Sequence, residues 1–136
     1  MRKWRRLIRT LTLLVLLVTP FGCSWRKQAR NEREARYQSA LSSYLEVIKE
    51  GMTRKDVEDY LNAHQTAFRQ LCCIDERSAF ADLVKIGKEH HPWFCEEHNV
   101  YVAFQFAAVD PHSPFRAHDS DVLKRITIFH HLDGCM

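Results

Sequence analysis

The sequence predicts an α+β domain, with two N-terminal helices packed on one face of a three- to four-stranded antiparallel sheet, preceded by a signal or anchor segment. Three observations lead there. Apolar residues recur at three- and four-residue spacing from Tyr37 to Leu61, the period of an amphipathic helix. From Val100 the pattern changes to strict alternation, the period of a strand. No helical stretch interrupts the strands, so short connections must join them and the sheet must be antiparallel. A length of 136 residues allows one such domain. It excludes a multidomain enzyme or a (β/α)₈ barrel, and only four Gly and four Pro argue against P-loop and collagen-like architectures.

The chain opens with Arg2, Lys3, Arg5, Arg6 and Arg9, five cations with no anion among them. An uncharged stretch follows over 10–25, centred on Leu11-Thr12-Leu13-Leu14-Val15-Leu16-Leu17-Val18. A basic start, a short apolar centre and an ending in Pro20, Gly22 and Cys23 form the layout of a bacterial export signal. The apolar run falls short of the ~20 residues of a spanning helix, and the competing reading is an uncleaved anchor in a thinned bilayer. Both place the remainder outside the cytoplasm. Removing the signal also takes the five leading cations with it. The whole chain's +3 then becomes 15 basic against 17 acidic residues, near −2, so no nucleic-acid partner is expected.

Residues 26–36 are dominated by charge and are expected to form a tether running into the first helix. Residues 1–22 thus read as a lipoprotein-type signal segment, 23–36 as a charged tether, and 37–136 as a single α+β domain. Tyr37, Leu41, Tyr44, Leu45 and Ile48 form the stripe of the first helix, and Gly51 suits the left-handed residue that ends it. Thr53 with Asp56 three residues on makes an approximate capping box for a second helix, with Val57, Tyr60, Leu61 and His64 on its inner face. Strands are expected over 67–74, over 80–86 with a break at Gly87, over 100–109, and over 124–132. In the third strand Val100, Val102, Phe104 and Phe106 point one way, and Tyr101, Ala103, Gln105 and Ala107 the other. Residues 110–121, with Pro111 and Pro114, read as a loop.

Beyond Cys23, Cys72, Cys73, Cys95 and Cys135 make an even set in a small exported domain, which reads as two disulfides. A bond between the adjacent Cys72 and Cys73 is far from ordinary disulfide geometry, so Cys95 and Cys135 are each expected to pair with one member of that doublet. Eight His are present, but no zinc-ligand spacing appears, and no metal or cofactor is expected.

The run Ile48-Lys49-Glu50-Gly51-Met52-Thr53-Arg54-Lys55-Asp56-Val57-Glu58-Asp59-Tyr60-Leu61 resembles the I-x-x-G-M-T-x-x-E-V-x-x-x-L signature of the SmpA/OmlA, or BamE-like, small outer-membrane lipoproteins. Their helix–helix–strands order is similar, and β-lactamase-inhibitor proteins are built from related units. Leu61-Asn62-Ala63-His64 departs from the Leu-Gly-x-Pro turn usual in that family, and the four downstream cysteines are not part of its signature. Cys23, after the small Gly22, resembles the lipidated cysteine of a lipobox, although Pro20 and Phe21 depart from its preferred residues. Cleavage after Ser24 is the alternative. Ser24 following Cys23 resembles outer-membrane sorting, since the Asp of inner-membrane retention is missing.

No glycine cradle, no motif-placed acid/base carboxylates and no metal spacing appear, so no enzymatic activity is expected. The expected function is that of a non-enzymatic, palmitate-bearing envelope lipoprotein, a binding or scaffolding module held at the periplasmic face of the outer membrane. Without lipidation it is periplasmic or anchored to the inner membrane. An inhibitor or immunity-type protein that blocks an enzyme is the other class. The contact residues expected from sequence are His91, Trp93 and Phe94, aromatic groups beside Pro92 in a connection. The alternative for Trp93 and Phe94 is to cover one end of the core.

Overall fold

A computed structural model describes residues 2–72, 74, 80–109 and 116–135, with side chains from Trp25 onward. The expected signal segment and Cys23 therefore lie outside the described side chains, as do Cys73 and the first half of the 110–121 connection. The chain forms two units, Met1–Arg36 and Tyr37–Met136. In the first the backbone is helical, as part of α1 (Arg2–Val47). The expected tether is thus helix: Arg30 and Glu34, and Glu32 and Arg36, set opposite charges one turn apart, and Gln28 donates to Glu32 at 3.1 Å. Among the described residues no helix is long and apolar enough to cross a membrane.

The second unit is α+β. It contains the end of α1, a second helix α2 (Arg54–Ala63), and the strands β1 (Arg69–Leu71), β2 (Ala81–Glu89), β3 (Glu97–Ala107) and β4 (Val122–Asp133). The four strands make one antiparallel sheet in the order β1-β2-β3-β4. Ile48, Val57 and Leu61 from the helical side are buried against Val84, Val102, Phe104, Phe106 and Ile126 from the sheet. Tyr44 meets Phe104 edge-on at 5.4 Å. Leu45, expected in the same stripe, is exposed instead. The alternation expected along β3 is present. Tyr101 and Ala103 join Ala81 and Leu83 in a second cluster on the opposite face, with Leu71, Ile74 and Phe129 packed against it.

The turn between the helices follows from two residues. Gly51 adopts φ +90°, a region costly for any residue with a Cβ. Thr53 caps α2: its hydroxyl accepts from the Asp56 N–H at 3.2 Å, and its own N–H donates to the Asp56 carboxylate at 3.1 Å. The Thr53 hydroxyl also donates to that carboxylate at 2.6 Å, and this bond first, then the one from the Thr53 N–H, holds the Asp56 carboxyl below its ordinary value. The Arg54 and Lys55 N–H groups donate to the carbonyls of Asp121 and Asp119, at 2.8 and 3.0 Å, so the first turn of α2 is also tied to the lead-in of β4.

Two strands run longer than their sequence patterns suggest. β2 continues through Gly87 because the Tyr37 ring lies against that residue. A Cβ placed there would stand 2.6 Å from the ring. The ladder shifts register between Lys85 and Gly87, a bulge at the same place. β3 starts at Glu97 rather than Val100, because Glu97, His98 and Asn99 find partners in Asp133, Leu132 and His131. His64, expected on the inner face of α2, is the exposed C-cap, with Nδ1 2.8 Å from the Tyr60 carbonyl oxygen.

Candidate functional site

The connection between β2 and β3 carries the residues expected to make contact. Among them Trp93 is 89% exposed and Phe94 41%. Their rings meet edge-on at 5.8 Å, and neither joins a buried cluster. At that exposure Trp93 does not cover the end of the core. His91 is half-buried, with Nδ1 3.1 Å from the Pro92 carbonyl oxygen, and its ring stacks with that of His90 at 6.1 Å. The aromatic pair therefore projects from a backbone whose neighbours hold it in place.

The fixing comes from Cys95, which is buried and bonded to Cys135. This corrects the expected pairing of each with the Cys72-Cys73 doublet. The physical reason is the register of β3 with β4. Glu97 stands opposite Asp133, and two residues further out the same register brings Cys95 opposite Cys135, with Cα atoms 4.0 Å apart. Cys72 is also disulfide-bonded, to a partner outside the described residues. No periodicity in the sequence carries register information, so this pairing was out of reach before the sheet was known.

Beside the disulfide, on the face of the sheet away from the helices, lies a polar network. Asn99 donates to Asp133 at 2.6 Å and to Glu97 at 2.9 Å. Arg69 pairs with Asp133 at 3.3 Å and stacks on Tyr101 at 4.7 Å. Lys88 holds Glu97 from the neighbouring strand. The hydrogen bond from Lys88, then that from Asn99, draws the Glu97 carboxyl down to about 2. Burial raises Asp133, but Asn99 and Arg69 outweigh it and leave the group below its usual range. Burial pushes the Tyr101 hydroxyl up. These groups act as a rigid brace at the foot of the aromatic connection.

Sequence reading missed one feature entirely. Arg54, Asp82 and Asp121 are all buried, at 1, 0 and 0% exposure. The Arg54 guanidinium donates to Asp82 at 2.6 Å, to the Phe80 carbonyl at 2.5 Å and to Asp121 at 3.3 Å, and lies 4.0 Å over the Phe106 ring. Asp121 also accepts from the His118 N–H at 2.9 Å. Among the described residues one Asp82 oxygen has no close hydrogen-bond partner. Burial raises the Asp82 carboxyl to about 7, with Arg54 opposing. The arrangement clamps α2 to β2 and β4 and leaves no opening for a ligand. Among the described residues no group of three or more His, Cys, Asp or Glu side chains is placed to hold a metal ion.

The fold and site define a small α+β domain with an exposed aromatic pair on a disulfide-braced connection. The chain matches no family model, no curated protein and no solved structure. The likeness to the SmpA/OmlA lipoproteins thus rests on the fourteen residues from Ile48 to Leu61.

Proposed function

We propose that this is an exported, lipid-anchored, non-enzymatic envelope protein that binds another protein through Trp93 and Phe94. The observation that carries the reading is the exposure of Trp93, at 89%, beside a half-exposed Phe94 on a connection held by Cys95–Cys135. Large rings offered to solvent from a fixed backbone lose little entropy on binding, which is why such residues anchor interfaces. The leading cations, the apolar run and Cys23 support export and lipidation, and a disulfide-bonded domain suits an oxidising compartment. The SmpA/OmlA-like helix junction supports an outer-membrane address.

The test is affinity capture from chemically cross-linked envelopes, using the full chain and its Trp93→Ala variant. One envelope protein should be captured by the parent and lost by the variant at unchanged melting temperature. Equal capture by both chains refutes the assigned surface. A captured secreted or periplasmic enzyme whose activity falls stoichiometrically assigns the chain to the inhibitor class instead. Globomycin should make the precursor accumulate, and normal maturation in its presence rules out lipidation at Cys23.

A further inference from the structure

The two edges of the sheet are built differently. β1 is three residues long, Arg69-Gln70-Leu71, and so short an edge offers little to pair with. β4 has twelve residues, with β3 as its only strand partner among the described residues. On its outer side only its first residues are engaged: Thr53 bridges to Val122, the Leu123 N–H donates to Met52, and the Leu123 carbonyl accepts from Gly51. Of the usual protections of an edge, the rest of the strand has charges at its two ends only, Lys124 and Arg125 at one and Asp133 at the other. It contains no Pro or Gly, its one register shift lies at its start, and its middle is the uncharged run Ile126-Thr127-Ile128-Phe129. Leu132, near its end, is 41% exposed.

We propose that this edge is an interface between two copies of the chain, pairing β4 with β4 antiparallel about a two-fold axis at Phe129. The charges select that arrangement. In this register Arg125 of one copy faces Asp133 of the other, twice by symmetry, whereas a parallel pairing in register sets Arg125 against Arg125. The pleat agrees. Arg125, Phe129 and Asp133 share the face of the sheet away from the helices, pairing within the protomer with Gln105, Tyr101 and Glu97. Ile126 and Leu132 share the helical face; Ile126 is buried in its own core, so on that face the exposed Leu132 meets only the rim of the second copy's cluster. Phe129 meets its own counterpart. The product is an eight-stranded sheet with a short edge at each end, which removes the long unpaired edge from both copies. The aromatic connection before Cys95 stays outside the strand contact and remains open to a different protein.

Light scattering on the full-length chain in detergent, across a concentration series, measures the association. A dimer is expected, with Arg125→Asp raising its dissociation constant about tenfold, since two attractive pairs become repulsive. Arg125 is exposed, and its hydrogen bond to Gln105 at 2.8 Å is worth about 1 kcal/mol, so the melting temperature of the variant should fall by only a few degrees. The register is read separately by mixing Thr127→Cys chains with His131→Cys chains under mild oxidation, because these positions face each other across the axis. A disulfide joining those two peptides is expected in the mixture and not in either chain alone. A monomer at every concentration overturns the proposal, and so does a dimer that Arg125→Asp leaves unchanged or that yields no such cross-link.

Discussion

Replacing Arg54 by Met tests the buried charge cluster most sharply. Met has about the helix propensity of Arg and a similar length, so α2 itself should not suffer. What is lost is, among the described residues, the only cation paired with Asp82 and Asp121, both fully buried. Removing one partner of a buried ion pair costs ~3–5 kcal/mol, mostly from the carboxylates left without compensation. The Phe80 carbonyl also loses its donor, and the Phe106 ring its cation, at about 1 kcal/mol each. Met regains part of this by packing on the ring, which leaves a net loss of about 4–5 kcal/mol. A domain this size has ~5–15 kcal/mol in all, so the melting temperature should fall by roughly 20–30 °C.

The loss should depend on pH in a defined direction. Asp82 is a carboxyl with a raised value in the fold, about 7 against an unfolded 3.8. Its contribution is therefore fully present below about pH 4 and disappears as pH rises through 7. Arg54 opposes that rise, so removing it pushes Asp82 higher still and makes the variant's stability fall more steeply with pH. Urea denaturation followed by circular dichroism at pH 5 and pH 8 should show a larger difference between the two chains at pH 8. A loss below ~1 kcal/mol, equal at both pH values, refutes the reading of the cluster as a buried, charge-compensated clamp.

Four smaller tests follow from the same structure. Asp82→Asn keeps a hydrogen-bond acceptor for Arg54 and should flatten the stability profile between pH 4 and 7 in the same denaturation assay. Cys95→Ser opens a 40-residue separation and should cost ~2–4 kcal/mol, while Cys95 and Cys135 in the parent should resist alkylation under native conditions. Gly87→Ala drives a methyl group into the Tyr37 ring and should cost ~1–3 kcal/mol, much of it recovered when Tyr37→Ala is added, as a double-mutant cycle would register. Thr53→Ala removes the cap of α2 and should cost about 1 kcal/mol by thermal melting.

Patterns that depend on neighbouring residues were legible in the sequence. The Thr53–Asp56 box, the left-handed Gly51 and the two faces of β3 each follow from local spacing, and each is present. What escaped depends on residues far apart. Arg54 looks like any solvated cation at the start of a helix. It becomes buried only because Asp82 and Asp121, 28 and 67 residues away, reach it from β2 and from the residue before β4. The Cys95–Cys135 bond needed the register of β3 against β4, and the length of β2 needed Tyr37 resting on Gly87. For the candidate site, the sequence pointed to Trp93 and Phe94 as surface or core, and only packing separates those outcomes. Their exposure decides for the surface.

The bond between Cys95 and Cys135 changes the connectivity of the molecule as well as its stability. β3, the connection after Ala107, and β4 become one covalent ring that encloses the β3–β4 ladder. A single cut anywhere between Ala107 and Val122 leaves both pieces attached, and they separate on a gel only after reduction. New chain ends placed in that stretch would still leave β4 held to β3. Where thiols are kept reduced, the same strands would pair without the ring.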